Sequence, residues 1–212
     1  LCGNSQEVYN YFEAWIGQMT HYPDVKSICP TLISQEGAGK QLLITLLARM
    51  FGEYKIFETT NPARDVWGSF NGQMEGGFLV NMNELSKKDT IDASGRIKGL
   101  ITDTDFTINN KGINSYTTKS YHRFIITTNS EEPIDTHKGD RRNLIIRSSD
   151  EKVGDKPYFK RLYGLLENPN VIKTCFEHFK AISGLDNFKE MKMPVTEHQE
   201  ILQSSSVSPI EL

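Results

Sequence analysis

The pattern of apolar and polar residues divides the chain into alternating helices and strands. Val8 to Met19 carries apolar residues at helical spacing, and the apolar run 28–33 that follows is typical of a buried strand. Strands that alternate with helices predict a parallel sheet with helices on both faces. The further helical patterns lie at about 41–51, 61–67, 89–101 (with Ile91, Ile97 and Ile101 on one face), 156–166 and 169–182, and the further strand-like runs at 54–57, 78–84, 123–128 and 143–147.

A different pattern separates the third and fourth apolar runs. Residues 106–110 and 113–120 alternate in polarity around Lys111 and Gly112, which predicts a β-hairpin with a tight turn. Beyond Lys192 the chain is rich in Ser and Pro, and we expect it to be extended. The organisation that follows is an N-terminal helical segment at 1–27, a core at 28–150, C-terminal helices at 151–191, and a tail or linker to a removed C-terminal domain at 192–212.

Composition indicates one domain with a substantial core, because 37% of the 212 residues are hydrophobic. The net charge of -3 means that any contact with nucleic acid must come from a local patch. Cys2, Cys29 and Cys175 are too few and too widely spaced for a disulfide framework or a zinc cluster, so we expect a reducing, intracellular compartment. No apolar run approaches the roughly 18 residues of a membrane span. The chain begins with Leu1, and we interpret it as a piece of a longer protein.

A glycine-rich segment, SQEGAGKQ, joins the first apolar run to the next helix. In a strand–turn–helix layout, Gly37 and Gly39 let backbone N–H groups surround phosphate oxygens, and the helix dipole adds positive potential. Lys40 is expected to reach the β- and γ-phosphates. A solvated surface turn is the alternative interpretation. The predicted nucleotide-binding residues are Ser34, Gln35, Glu36, Gly37, Ala38, Gly39, Lys40 and Gln41.

Polar residues end two further apolar runs, FLVNMNEL and FIITTN. In an open parallel sheet, ligands bind at the carboxyl ends of the strands. Glu84 is predicted to be the base that activates water, and Asn83 and Glu84 to hold Mg²⁺, partly through water. Asn129 is predicted to hold the attacking water or the γ-phosphate. The alternatives are a solvated strand end and an ordinary turn residue.

Two arginines precede the last apolar run, in the sequence GDRRN. Paired arginines on a loop are usually solvated. In a ring ATPase, such a loop reaches the neighbouring subunit's γ-phosphate, where an arginine stabilises transition-state charge. Arg141 and Arg142 are therefore candidate catalytic residues, with Arg142 ranked slightly ahead.

The four motifs, with a basic hairpin between the second and third, resemble those of superfamily-three DNA helicases. The resemblance is greatest to the helicase half of poxvirus-type primase-helicases and their relatives in large DNA viruses, virophages and phages. It covers about residues 28–149, with the segment from Lys98 to Lys111 at the family's intermediate motif. It implies an α/β fold: an AAA+-like P-loop ATPase core, with a five-stranded, mainly parallel sheet, flanking helices and an inserted β-hairpin.

The same resemblance implies a function. Members of this superfamily are ATP- and Mg²⁺-dependent replicative helicases that form hexameric rings and move 3′ to 5′ on one DNA strand. For this chain it implies a homo-hexamer, a single-stranded or forked DNA partner, and a primase domain in the full-length protein. The expected location is the host cytoplasm or a viral replication site, with no membrane partner.

Departures from the family pattern concern the metal. Gln41 stands where the loop normally has the Ser or Thr that ligates Mg²⁺, Ser34 stands where it has Gly, and Asn83 replaces the preferred Asp. The metal would then depend on phosphate oxygens and waters. Thr45, one helical turn beyond Gln41, is a weak substitute. We favour a working ATPase, and a slow or ADP-trapped enzyme is the alternative.

The hairpin is the expected DNA contact. From Phe106 to Ser130 the sequence has no Asp or Glu. Lys111, at the turn, resembles the hairpin tip that family members point into the central channel, where backbone phosphates are bound without base readout. A solvated hairpin is the alternative. The predicted DNA-binding residues are Lys98, Lys111, Gly112 and Lys119, and the same segment also contains His122, Arg123, Tyr116 and Tyr121.

The sequence leaves two other functions open. One is a catalytically weak, nucleotide-dependent DNA-binding or scaffold subunit, which would account for the altered loop. The other is a different P-loop DNA motor, such as a helicase loader or a packaging ATPase. Glu84, Asn129 and the arginine pair favour an enzyme, and the basic hairpin favours a helicase.

Overall fold

The computed structural model describes residues 1–85 and 87–205, with the side chains left out at 87, 89 and 91–94. Its helices are α1 Gln6–His21, α2 Lys40–Phe51, α3 Pro62–Asp65, α4 Lys87–Thr102, α5 Lys156–Leu166, α6 Pro169–Ala181 and α7 Glu197–Ser205. Its strands are β1 Cys29–Ile33, β2 Ile56–Thr59, β3 Leu79–Asn83, β4 Asp105–Ile108, β5 Tyr116–Lys119, β6 Arg123–Thr128 and β7 Asn143–Arg147. None of the described helices is long and apolar enough to cross a membrane.

Five strands form one sheet in the order β2-β3-β6-β1-β7, and every pair in it is parallel. This confirms the predicted α/β fold with a parallel sheet, flanking helices and an inserted hairpin. Because β3, β6 and β1 are neighbours, their carboxyl ends meet at one edge of the sheet. The segments that begin at Ser34, Glu84 and Asn129 leave the sheet there.

Both faces of the sheet are covered by apolar layers. One layer packs α1 and α2 on the strands, with Trp15 and Leu47 fully buried against residues such as Leu32 and Ile125. The other layer packs α4 and α7 on the alternate strand residues, including Ile33 and Ile126. Apolar side chains on both faces account for the continuous hydrophobic runs in the sequence. Ile97 and Ile101 lie in the second layer as predicted, whereas the side chain of Ile91 lies outside the described residues.

The second strand begins two residues later than predicted, at Ile56. Gly52 ends α2 with a φ of 102°, and the following residues form a turn of 3₁₀ helix in which Lys55 N–H bonds the Gly52 carbonyl. Pairing with β3 then begins at Ile56, opposite Leu79. A glycine-dependent turn therefore takes the residues that the apolar pattern assigned to the strand.

The hairpin turn is longer than predicted, because residues 109–115 connect β4 to β5. Asn109 is tied to a neighbouring segment: its N–H bonds Asn71 Oδ1 at 2.9 Å, its carbonyl accepts from Asn71 N–H, and its side chain donates to the Ser69 carbonyl. These bonds end the ladder at Ile108, which pairs with Tyr116.

The prediction of an extended tail is wrong for residues 197–205, which form α7. Thr196 Oγ1 accepts from Gln199 N–H at 3.1 Å and donates to the Ile145 carbonyl at 2.6 Å, so it caps the helix and docks it on β7. Leu202 is buried in the second apolar layer. The rest of that prediction, at 206–212, lies outside the described residues.

Candidate functional site

A cavity of about 430 Å³ at the carboxyl edge of the sheet contains most of the predicted nucleotide-binding and catalytic residues. Residues 36–41 form one wall, and Asn83, Glu84, Thr127 and Asn129 form another. Phe159 and Tyr163 of α5 also line it. Neither aromatic residue was predicted, since nothing in the sequence of α5 shows that it packs beside the loop.

The glycines of the loop have the backbone that was expected of them. Gly37 and Gly39 have φ values of 80° and 98°, in the region that residues with a Cβ rarely adopt. A Cβ on Gly39 would also lie 3.0 Å from Phe159 Cε1. Helix α2 begins directly after Gly39, with no acidic residue in its first turn. Its N-terminal N–H groups and positive dipole end therefore face the cavity without a carboxylate from the helix's own first turn.

Lys40 joins the loop to the end of β6. Its Nζ donates to Ser34 Oγ at 2.7 Å, to the Ser34 and Gln35 carbonyls at 2.9 and 3.2 Å, and to Asn129 Oδ1 at 2.8 Å. Burial, and then the nearby Arg147, lower the pKa of Lys40. The negative charges of Asp150 and Glu36 act in the opposite direction, but their effects are smaller. The ammonium group is thus held at the base of the loop by oxygen acceptors that phosphate oxygens could replace.

Glu84 has a backbone φ of 58°, an unusual value for a residue with a Cβ. Its N–H donates to the Thr127 carbonyl at 2.8 Å, which fixes the turn after β3 to β6. Such a conformation costs on the order of 1–3 kcal/mol and concentrates at functional positions. Here it leaves the Glu84 carboxylate exposed at the cavity wall.

A network of polar side chains connects the loop to β2 and β3. Gln41 Nε2 donates to Glu58 Oε1 at 3.2 Å, and Asn81 Nδ2 donates to Glu58 Oε2 at 2.9 Å. Thr127 Oγ1 lies 2.9 Å from Asn81 Oδ1 and 3.0 Å from Asn83 Oδ1. Glu58 and Asn81 were not predicted, and their only sequence signal is that polar residues interrupt two strands that pair side by side.

Both predicted Mg²⁺ ligands, Asn83 and Glu84, line the cavity. Among the described residues, no group of three or more His, Cys, Asp or Glu is placed to hold a metal. Mg²⁺ bound with a nucleotide needs only one or two carboxylates besides phosphates and water, so Glu84 with the amide oxygens of Asn83 and Gln41 fits such an ion. Thr45 does not line the cavity, and its hydroxyl donates to the Gln41 carbonyl at 2.9 Å within α2.

Arg141 and Arg142 lie at the opposite, amino edge of the sheet. Cys29 N–H bonds the Arg142 carbonyl at 2.8 Å, and Asn143 pairs with Cys29 at the start of β1. Five strand residues, about 16 Å, separate this edge from the loop. Neither arginine can therefore reach the phosphate site of its own chain. Arg141 is exposed and Arg142 is half-buried, which favours Arg141 as the residue that extends outward.

The predicted DNA-binding residues are exposed, but not all of them are unpaired. Lys111 and Gly112 lie in the connection between β4 and β5, and Lys98 lies on α4. Lys119 Nζ, on β5, is 3.4 Å from Asp105 Oδ1 on β4. The positive charge of the segment 106–130 is thus partly neutralised by Asp105, which directly precedes it. Lys111 is left as the exposed cation at the hairpin end.

His122 and Arg123 do not belong to this surface, because they are only 4% and 1% exposed. His122 bonds Ser120 Oγ at 3.1 Å and the Met74 carbonyl at 2.9 Å, and Arg123 Nη2 donates to the Tyr22 carbonyl at 2.9 Å. Lys26 Nζ donates to the same Ser120 hydroxyl at 2.8 Å. Burial, and then Arg123, lower the pKa of Lys26 to about 8. These groups, which are almost fully buried, connect the base of the hairpin to the sheet.

Comparison with known protein families gives a match over residues 32–142, to the family of unknown function DUF5906. The chain belongs to this family. The matched segment contains the whole loop, together with Glu84, Asn129 and the arginine pair.

The chain is also similar to the DNA primase-polymerase of Nitratiruptor phage NrS-1, with 29% identity over 138 residues. The match covers 64% of this chain and 19% of the phage protein, so the chain spans about a fifth of that relative. Two apo structures of the NrS-1 C-terminal region superpose with TM-scores of 0.80 and 0.81 at 21% and 22% identity. The superpositions cover 95% and 96% of this chain and 48% of each NrS-1 chain. The likeness shows that the fold is shared.

Proposed function

We propose that the chain is the motor domain of an ATP-dependent replicative DNA helicase. The observation that carries the proposal is the single cavity that brings together the phosphate loop, Glu84 and Asn129 from three separate parts of the sequence. Lys40 already bonds Asn129 across that cavity. The similarity to a phage protein named a DNA primase-polymerase supports a role in DNA replication.

Each residue of the cavity has a proposed role in hydrolysis. The N–H groups of the loop and Lys40 bind the phosphates of ATP. Glu84 accepts a proton from the attacking water, and Asn129 orients that water or the γ-phosphate. Glu84, Asn83 and Gln41 are the residues that would hold Mg²⁺ bound with the nucleotide, and the ion would supply positive charge to stabilise the phosphates during hydrolysis.

The position of the arginine pair supports a shared site between copies. Because Arg141 and Arg142 lie at the edge opposite the loop, they could complete only the cavity of a neighbouring copy. We propose a homo-hexameric ring in which this edge of one copy faces the nucleotide of the next. Movement on single-stranded DNA from 3′ to 5′ is part of the same proposal.

The hairpin is the proposed contact with single-stranded or forked DNA. Its base is fixed to the core through Ser120, His122 and Lys26, whose Nζ also donates to the Leu100 carbonyl of α4, so a shift in the sheet or in α4 would be passed to the base of the hairpin that carries Lys111 and Gly112. Lys98 and Lys119 would add weaker contacts. Since the similar phage protein is named a primase-polymerase and is much longer than this chain, we also propose a primase domain in the full-length protein.

A catalytically weak, nucleotide-dependent DNA-binding subunit is the second candidate. The observation that favours it is Gln41, whose amide group is bonded to Glu58 where a hydroxyl normally ligates the metal. Such a subunit would bind ATP and DNA without measurable turnover. A different P-loop DNA motor would hydrolyse ATP without separating the strands of a fork.

Lys40→Ala tests the nucleotide site directly. It removes the only cation of residues 34–41, so we expect ATP affinity to fall by at least tenfold, about 1.4 kcal/mol, and hydrolysis to be lost. Titration calorimetry with ATP would measure the affinity, with Lys180→Ala, an exposed cation of α6, as the control. Parental affinity in Lys40→Ala would show that the loop does not bind phosphate.

Lys111→Ala tests the hairpin. Affinity for single-stranded DNA should fall about equally for all sequences, and the slope of log affinity against log salt should shrink by ~0.7 for each subunit engaged. ATPase activity without DNA should survive, whereas its stimulation by DNA should be lost. Fluorescence anisotropy over a salt series would measure the effect, again with Lys180→Ala as the control. If Lys111→Ala binds and unwinds DNA as the parent does, another surface holds the strand, and Lys119 is the next residue to replace.

A further inference from the structure

Gln41 has a defined orientation at the position where the loop normally carries a hydroxyl. Its Nε2 donates to Glu58 Oε1, and the side chain lines the cavity. An amide has its donor and its acceptor on opposite sides, so a fixed Nε2 also fixes the direction of Oε1. With the donor turned toward Glu58 on β2, the amide oxygen is the atom that remains for a ligand.

Glu58 is itself held in place. Its second oxygen accepts from Asn81 Nδ2 at 2.9 Å, and Asn81 Oδ1 accepts from Thr127 Oγ1 at 2.9 Å. Glu58 does not line the cavity, whereas Gln41 and Thr127 do. The Glu58 carboxylate therefore contacts the Gln41 amide without being part of the cavity wall.

We propose that Glu58 is a positioning residue that orients Gln41, so that the Gln41 amide oxygen replaces the missing hydroxyl as a ligand of nucleotide-bound Mg²⁺. The inference rests on the proposed function, because it assumes that a nucleotide–metal complex occupies the cavity. Amide oxygens are suitable ligands for a hard cation, and the groups that hold a metal ligand typically contribute 10–100-fold to metal affinity.

The first experiment separates metal binding from nucleotide binding. Nucleotide affinity is measured by calorimetry with a nonhydrolysable ATP analogue, both in EDTA and over a Mg²⁺ series, and Mn²⁺ bound to the complex is followed by electron paramagnetic resonance. In Glu58→Ala and in Glu58→Gln, we expect metal affinity to fall about tenfold or more, with metal-free affinity and the thermal midpoint near parental values. Glu53→Gln, which removes another exposed carboxylate just before β2, is the control and should change neither affinity.

A double-mutant cycle shows whether Glu58 acts through Gln41. Gln41→Thr restores the hydroxyl of the common loop, so replacing Glu58 in that background should leave metal affinity unchanged. The same loss in both backgrounds would overturn the proposal, as would parental metal affinity in both Glu58 variants. If the parent chain binds no nucleotide at all, the proposed function fails. A parent that binds metal–nucleotide normally but does not respond to Glu58 overturns this inference alone.

Discussion

Glu84→Gln is expected to bind ATP like the parent while losing turnover by a factor of about 10² to 10⁴, the usual contribution of a general base. The substitution keeps the shape of the side chain and the Glu84 N–H bond to Thr127, but it removes the group that accepts the proton. Single-turnover hydrolysis and calorimetric affinity would be measured on the same preparation.

The matched control is Glu53→Gln, which removes an exposed carboxylate that does not line the cavity. Glu53 has no proposed part in nucleotide binding or proton transfer, so its replacement should leave turnover within a few-fold of the parent. Two results would contradict the role of Glu84: parental turnover in Glu84→Gln, or an equal loss in both variants.

Replacing either Arg141 or Arg142 with Ala is expected to reduce turnover by about 10³-fold if that residue is the finger, while the monomer stays folded. The reason is geometric, since both residues lie at the sheet edge opposite the loop of their own chain. Lys138→Ala removes an exposed cation of the same segment and should have little effect. Steady-state hydrolysis in assembled preparations, with circular dichroism as a check on folding, would measure the difference.

Mixing experiments show whether the arginines act between copies. An Arg141→Ala or Arg142→Ala chain mixed with a Glu84→Gln chain should recover part of the lost turnover. The arginine variant supplies an intact phosphate loop and Glu84, and the neighbouring Glu84→Gln chain supplies intact arginines. Lys40→Ala mixed with Glu84→Gln should recover none, since both changes damage the same edge. An absence of rescue in proven mixed oligomers would rule out a shared site.

The fold was predictable because its sheet is buried on both faces. Runs such as 123–128 and 143–147 have an unbroken apolar centre, FII and LII, and the structure begins and ends β6 and β7 at the same residues as predicted. The α7 helix was not predictable from its pattern, because Leu202 is its only buried apolar side chain in a polar, Ser-rich stretch. The long hairpin turn depends on Asn71, which is 38 residues from Asn109 in the sequence.

The candidate site was predictable where short motifs define it. Strand–turn–helix order and strand-end polar residues were sufficient to select Lys40, Glu84 and Asn129. Three features depend on tertiary structure and could not be predicted: the backbone φ of Glu84, the bond from Gln41 to Glu58, and the burial of Arg123. Arg123 shows the limit most clearly, because a cation in a basic segment reads as a DNA contact until its burial is known.

ATP turnover with and without single-stranded DNA is the measurement that tests the proposed motor most directly. We predict hydrolysis above the Glu84→Gln background, a several-fold increase when DNA is added, and no increase in Lys111→Ala. ATP binding without turnover, in preparations that are folded, assembled and supplied with Mg²⁺ and DNA, would contradict the proposed motor and favour the weak, nucleotide-dependent DNA-binding subunit.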